Sequence, residues 1–509
     1  MRPIETLHWL ANLLAFAGLV LPLPRALRWL RQSAPVALLA AGAQIMAEGP
    51  RWQLVPAYAL TGLLFLFWLR RATVTAHTVR GQRHTLAAGV NAGLGAVALV
   101  VSLALPTAFP VFRFPHPTGP YAIGTLTYHW IDAARHEVFG ANRQGLQGLP
   151  DRQAQRELVV QIWYPAAADP KARRAPYLQD ADAVTSAFAQ IHHKPAFGFG
   201  HFKYVTTNAQ PSAPVAGAQA QYPVLLFLEG VTGFRQMNTY QVEALVSQGY
   251  IVAAIDQPGV AANVVFSDGR QALGMALAQV HASIDPSYMP DPSAPRQIGM
   301  APTGVGLIRY FAQDAVFVLD QLATLNRADP NGILRGKLDL QRVGAFGVSL
   351  GGMVVAEACH LEPRLTACLM MDAPMPVDIV TSGLPQPSMW ITRDANAMRL
   401  ERQRAGGWPD AAIQAHQSTM RAVYQHLPGA GYFVQVAGMF HSNFTDIPIW
   451  SPWTTQMRLS GTINGQRGHD IVNAYSLAFF NRHLLGHTTG PLNALTTRYP
   501  EVHFESRLP

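Results

Sequence analysis

The stretch Arg342-Val-Gly-Ala-Phe-Gly-Val-Ser-Leu-Gly-Gly352 constrains the fold of this chain more than any other. An apolar run enters Gly347-Val348-Ser349-Leu350-Gly351, and Met353 to Cys359 behind it reads as a helix. A strand that turns sharply into a helix strains the residue at the turn. The neighbours of such a residue must be small, because a Cβ there would meet the adjacent strand or helix. The turn lifts the serine Oγ above the sheet edge and aims the first N–H groups of the helix at charge developing beside it. A G-x-S-x-G pattern among 42 glycines says little alone. The strand before it, the helix after it and two partners downstream give it weight.

The runs Tyr222 to Glu229 and Tyr250 to Asp256 are continuously apolar, as strands covered on both faces must be. Further buried strands are expected at Leu365–Asp372, Pro387–Thr392 and Tyr432–Val436. Helical patterns fall at Tyr240–Gln248, Gly306–Leu325, about 394–427 and Ile471–Leu485. Before them, Gly119–Tyr128 and Arg156–Pro165 alternate as strands on either side of a long polar loop. Strands alternating with helices predict a doubly wound, mostly parallel α/β sheet, and the serine turn makes it an α/β-hydrolase. Residues 166–221 read as loop-rich. Residues 260–304, rich in Pro, Ser, Gly and Met, read as an insertion over the strand ends, a lid or pocket wall.

Composition matters at the other end of the chain. Only 13% of residues are charged, and residues 1–108 hold just two of the 30 acids, Glu5 and Glu48, among several long apolar runs. A membrane helix needs about 20 apolar residues. The runs Ile4–Leu23 and Leu86–Leu105 have that length, Leu54–Leu69 needs its flanks, and Ala34–Ala47 is shorter and contains Gln44. Several runs in succession argue against a single cleaved leader. Arg25, Arg28 and Arg31 follow the first run, and Arg70, Arg71, Arg80 and Arg83 lie between the third and fourth. Short arginine-rich loops stay cytoplasmic, so the chain after Pro110 is expected outside the cytoplasm. The predicted organisation is an all-α transmembrane segment of about four helices over 1–110 and a catalytic domain over 111–509. That is a multi-pass protein of the cell (inner) membrane with its catalytic domain periplasmic. The helices read as an anchor, with Glu5 and His8 as its ionisable residues. The formal charge of +8 comes largely from arginines flanking the apolar runs, without a lysine-rich tract, so nucleic acid is not an expected partner.

Ligands of such sheets sit beyond the carboxyl ends of the strands. Three residues are expected there in chain order: Ser349 at the turn, Asp372 ending the next strand, and His441 after the last strand. Serine, acid and histidine in that order make a proton relay. Asp256 competes with Asp372 but precedes the nucleophile, and His469 competes with His441 but lies in a polar loop. The N–H groups of Val231 and Leu350 are the expected oxyanion donors. His192, His193 and His201 lack metal-ligand spacing, so neither metal nor other cofactor is expected. Cys359 and Cys368 read first as two small buried hydrophobes, and a disulfide between them is not decided by spacing. The activity expected is a serine carboxylic-ester hydrolase acting on hydrophobic esters through an acyl-enzyme. An idle hydrolase-fold binding module at the membrane, an acyltransferase and a polyester hydrolase are the alternatives.

Several segments resemble one family, the plasma-type platelet-activating factor acetylhydrolases. They are Gly119-Pro-Tyr-Ala-Ile-Gly124, Leu226-Phe-Leu-Glu-Gly-Val-Thr-Gly-Phe-Arg235, Gly249 to Asp256, Gly347 to Gly352, Met371-Asp-Ala-Pro374, Phe440-His-Ser-Asn-Phe-Thr-Asp446 and Asn473 to Phe480. The resemblance implies a metal-independent esterase for short or oxidised acyl chains on glycerophospholipids. It matches Ser349, Asp372 and His441 to the family's triad, and the Val231 and Leu350 amides to its oxyanion hole. Val348 and Glu229 stand where the family often has histidine, and the membrane segment has no counterpart in the secreted plasma enzyme.

Overall fold

The structure, a computed structural model, describes residues 1–21, 23–73, 84–138, 154–284, 287–288, 306–487 and 492–508. The chain divides into two compact units. The first comprises Met1–Phe112 with Phe197–Tyr204 and Trp450–Trp453, and the second comprises Arg113–Ala196, Val205–Ile449 and Thr454–Pro509.

The first unit contains four α-helices, Pro3–Val20, Ser33–Glu48, Val55–Thr73 and His84–Ala108. Among the described residues, two stretches are long and apolar enough to cross a membrane, Pro3–Val20 and Trp52–Thr73. The helix over Ser33–Glu48 has 16 residues, below the usual span length. The expectation of about four spanning helices is supported among the described residues for two of them on length and apolarity, and the rest are not confirmed. Glu5 and His8 are buried in this unit, and both are partnered. Arg51 grips Glu5 with two hydrogen bonds of 2.7 and 2.8 Å, and His8 Nε2 lies 2.7 Å from Thr61 Oγ1. A buried carboxylate with its guanidinium beside it, tying the start of one helix to the turn before another, is a structural clamp.

The second unit is built on a ten-stranded sheet. Its strands are β1 (Ala122–His136), β2 (Gln155–Ala166), β3 (Ala209–Pro211), β4 (Tyr222–Leu228), β5 (Ile251–Asp256), β8 (Leu338–Val348), β9 (Leu365–Met371), β10 (Ser388–Thr392), β11 (Gly431–Val436) and β12 (Val502–Arg507). A separate hairpin pairs β6 (Asn263–Val265) with β7 (Gln271–Leu273). The sheet order is β12-β11-β10-β9-β8-β4-β5-β2-β1-β3. The run from β5 through β4, β8, β9 and β10 to β11 is parallel, while β2 and β12 join its two ends antiparallel.

The apolar runs are continuous because each central strand feeds two cores. Val224, Leu226 and Leu228 of β4 face one core, which takes Phe311, Val318 and Leu322 from the helix Leu307–Arg327 and Val354 and Val355 from Leu350–Leu361. Leu225 and Phe227 face the other, which takes Val242 and Leu245 from the helix Thr239–Ser247 and Ile471, Phe479 and Phe480 from Gly465–Leu484. Covering both faces with helices is what a parallel sheet requires. Cys359 and Cys368 are joined as a disulfide between the helix Leu350–Leu361 and β9. The reading of these cysteines as two separate buried hydrophobes is corrected here. Strand and helix are neighbours, which brings together two thiols nine residues apart. The lid expected over 260–304 contains the small hairpin and the helix Leu277–Ile284, and the rest of it lies largely outside the described residues.

Candidate functional site

The site forms where the parallel strands end. β4 runs out into Glu229-Gly230-Val231, β8 into Ser349, β9 into Asp372, and β10 into Arg393. β11 leads through Ala437 to His441. Carboxyl ends of parallel strands point to one edge, so residues far apart in sequence gather there.

Ser349 holds the strained turn at φ 57° and ψ −124° between β8 and the helix Leu350–Leu361. Its surroundings exclude larger side chains. A Cβ on Gly351 would lie 2.0 Å from the Leu228 carbonyl oxygen, and one on Gly230 would lie 3.2 Å from Ser349 Cβ. The second distance also places the loop after β4 against Ser349. The Val231 and Leu350 N–H groups donate to no acceptor among the described residues. For Leu350 this follows from its position at the first turn of a helix, where backbone donors have no partner within the helix.

Asp372 also has a positive φ, 45°, and is 1% exposed. Its Oδ2 accepts from His441 Nδ1 at 2.6 Å. Burial alone would raise this carboxyl. The Arg393 guanidinium at 2.8 Å and the hydrogen bond from His441 outweigh it and hold the carboxyl well below the usual range. With Nδ1 turned to Asp372, His441 has Nε2 left for a reacting group, and its side chain is 27% exposed. Among the described residues no hydrogen bond closes from Ser349 Oγ to His441, so the imidazole is bonded to Asp372 but not to the serine.

The rivals have other duties. Asp256 accepts the Arg235 amide at 2.6 Å and pairs with that residue's guanidinium. His469 hydrogen-bonds the Thr445 carbonyl at 2.9 Å and stacks on Tyr240 at 3.7 Å, and burial lowers its pKa to about 4. His192 lies 3.0 Å from the Thr232 hydroxyl, beside Val231. No cluster of three or more metal-ligating side chains occurs among the described residues.

Sequence reasoning missed the groups that support the site. Asn443 Oδ1 accepts the Phe440 amide at 2.8 Å and the Gly461 amide at 2.7 Å, pinning the turn that carries His441. Asp446 receives the Thr239 and Tyr240 amides, each at 3.0 Å, and so caps the helix Thr239–Ser247. Arg393 follows a strand end just as Asp372 does, and that position was the available signal.

Comparison with known proteins places the chain in a family. The sequence profile of the family "Platelet-activating factor acetylhydrolase, isoform II" matches residues 107–272 and 329–489. A platelet-activating factor acetylhydrolase of Gallus gallus is 21% identical over 399 residues, 73% of this chain and 84% of that protein. A protein of Arthroderma benhamiae described as a probable 1-alkyl-2-acetylglycerophosphocholine esterase is 23% identical over 432 residues, 80% of this chain and 97% of that one. Among solved structures, a ferulic acid esterase from Streptomyces cinnamoneus superposes with a TM-score of 0.57 at 23% identity. The match covers 78% of this chain and 99% of that one, and it is a likeness of fold. The chain is an ester hydrolase and belongs to the platelet-activating factor acetylhydrolase isoform II family.

Proposed function

We propose that this ester hydrolase works through Ser349, His441 and Asp372. Ser349 Oγ attacks the ester carbonyl carbon while its proton passes to His441 Nε2. Asp372 holds the imidazole by Nδ1 and stabilises the imidazolium. The carbonyl oxygen, now an oxyanion, takes the Val231 and Leu350 N–H groups, each worth about 3–4 kcal/mol of barrier. Collapse breaks the carbon–oxygen bond to the alcohol, which leaves with the proton from His441. Water then repeats the sequence on the acyl-enzyme, returning Ser349 and releasing the acid. The observation that carries this reading is the 2.6 Å bond between His441 and Asp372, at the sheet edge where a serine turn and two unengaged amides also lie. Catalytic hydrogen bonds to the nucleophile are often long without substrate and tighten when it binds.

The substrate class we propose is glycerophospholipid with a short or oxidised acyl chain, or another hydrophobic ester, on the chemistry named for the relatives in Gallus gallus and Arthroderma benhamiae. The protein would act at a membrane that its helical segment enters, with the hydrolase on the extracytoplasmic side. The two apolar stretches support the first part. The Cys359–Cys368 disulfide supports the second, since such bonds persist mainly in oxidising compartments. The test is hydrolysis of p-nitrophenyl esters and of glycerophospholipids graded by acyl length. Activity should fall as the chain lengthens, and Ser349→Ala should lose about three orders of magnitude or more. Turnover by that variant at the parental rate would remove the assignment.

A further inference from the structure

In a serine–histidine–acid relay the buried acid orients the imidazole and stabilises the imidazolium, so a cation that competes for the acid bears on both tasks. The same Asp372 Oδ2 that accepts from His441 Nδ1 at 2.6 Å also accepts from Arg393 Nε at 2.8 Å. Oδ1 takes the Thr392 hydroxyl at 3.0 Å. Arg393 is fully buried, and its Nη1 engages Glu401. The Glu401 carboxylate in turn has both oxygens 3.3 Å from the His441 backbone N. The circuit therefore leaves the histidine side chain through Asp372, passes through a guanidinium and returns to the histidine backbone. Trp408 closes it, with the guanidinium 4.8 Å from its ring and the His441 imidazole edge-on at 5.1 Å.

We propose that Arg393 and Glu401 are positioning residues of this relay, a buried strap that fixes the Asp372 carboxylate and sets how much of its charge reaches the His441 imidazole. The proposal rests on the reading of Ser349, Asp372 and His441 as the reacting groups. Its physics is simple. The imidazolium formed when Ser349 gives up its proton is stabilised by negative charge nearby and opposed by positive charge. Arg393 cancels part of the charge of Asp372, and Glu401 cancels part of the charge of Arg393. The net result is one excess negative charge, spread over two carboxylates, one at the His441 side chain and one at its backbone.

The charged and titratable groups around His441 come from four elements. Asp372 ends β9 and Arg393 ends β10. Glu401 lies on the helix Ala395–Ala405, and His416 lies on the helix Asp410–His426. His416 Nε2 is 3.9 Å from Asp372 Oδ1, but burial lowers its pKa to about 4, so it is neutral over the range that matters. The two strap residues are therefore the charges that can be altered without touching the relay itself.

Their removal should act in opposite directions, which loss of packing cannot imitate. In the full-length protein, Arg393→Gln should raise the pKa on the acid limb of kcat/KM for p-nitrophenyl butyrate by about one unit, and Glu401→Gln should lower it by about one unit. The double substitution removes both charges and should return the limb close to its parental position. The His441 imidazole, titrated by NMR in a Ser349→Ala background, should show the same opposed shifts without any turnover. Shifts of equal sign, or an unmoved pKa in both singles, would overturn the strap. Should Arg393→Gln fail to fold, the half-buried Glu401→Gln decides alone, and a limb that stays in place rejects the proposal. If instead Ser349→Ala hydrolyses ester as the parent does, the relay reading has failed, and the NMR titration still reports on the strap.

Discussion

Replacing Asn443 by alanine should free His441 without altering it. Asn443 is fully buried, and its single Oδ1 accepts from the Phe440 amide at 2.8 Å and from the Gly461 amide at 2.7 Å. Phe440 is the residue before the histidine, so this atom ties the turn that carries His441 to a segment twenty residues on. Alanine leaves two donors with no acceptor in a packed interior, where no water fits easily. A Cβ on Gly461 would already lie 2.0 Å from the Gly438 carbonyl oxygen. An orphaned buried donor costs about 1–3 kcal/mol. Two near the low end give about 3 kcal/mol in favour of local opening, or roughly a hundredfold. Hydrogen exchange read by mass spectrometry on peptides covering 437–461 measures this directly, with β4 and β8 peptides as the internal standard. Exchange over 437–461 should accelerate about a hundredfold while the standards stay within a factor of two. kcat/KM should fall as well, since a displacement of about 1 Å at a reacting group can cost about a hundredfold. Asn443→Asp keeps an oxygen for both amides, and Asn443 Nδ2 has no partner to lose. That variant should exchange more slowly than the alanine variant, although it must bury a carboxylate. If the alanine variant protected the 437–461 peptides as well as the parent does, the two amides would have another acceptor and the reasoning would be wrong.

Gly230→Ala tests the approach of the two loops. Its Cβ would sit 3.2 Å from both Ser349 Cβ and the Val348 carbonyl oxygen, so a shift of a few tenths of an ångström must fall on the nucleophile or the Val231 amide. kcat should drop about tenfold or more with little change in melting temperature, and an unchanged kcat would show that the loops give way freely. Glu243 governs a pH effect. Burial pushes its carboxyl up to about 7, against an ordinary value of 4.5. Between those values the unfolded chain has released a proton that the folded one keeps, so stability should decline as pH rises through that window and level off above it. Glu243→Gln should flatten that decline in thermal melts taken from pH 4 to 8.

How much of this was legible in the sequence depended on what each residue had to do. β4, β5 and β9 were readable because strands covered on both faces admit almost nothing polar; the end of β9 located Asp372 within a residue, and the glycine-flanked turn after β8 located Ser349. β12 was not, because it is an edge strand alternating Val502, Phe504 and Ser506 with His503, Glu505 and Arg507, a pattern too polar and too short to stand out. The disulfide was undecided because nine residues of separation do not say where two Cβ atoms point. The first unit shows the opposite limit. Apolar runs located its helices, but composition does not separate a helix that spans a bilayer from one that packs within a bundle.

Arg393 and Glu229 show why the polar details of the site lay beyond that reading. Both follow strand ends, and both are buried and ionisable. Arg393 turns toward the site because Asp372 and Glu401 hold its two ends. Glu229, one residue before Gly230, turns the other way. Its Oε1 accepts the Gln257 amide at 3.1 Å, and burial together with the neighbouring Asp256 pushes its carboxyl upward, toward the neutral form. A strand end sets the depth of a side chain at the sheet edge. Which way an ionisable one then faces is decided by the countercharges that other segments bring, and those segments meet only in the folded chain. The Val231 amide, proposed as an oxyanion donor, follows Gly230 in the loop that lies against Ser349.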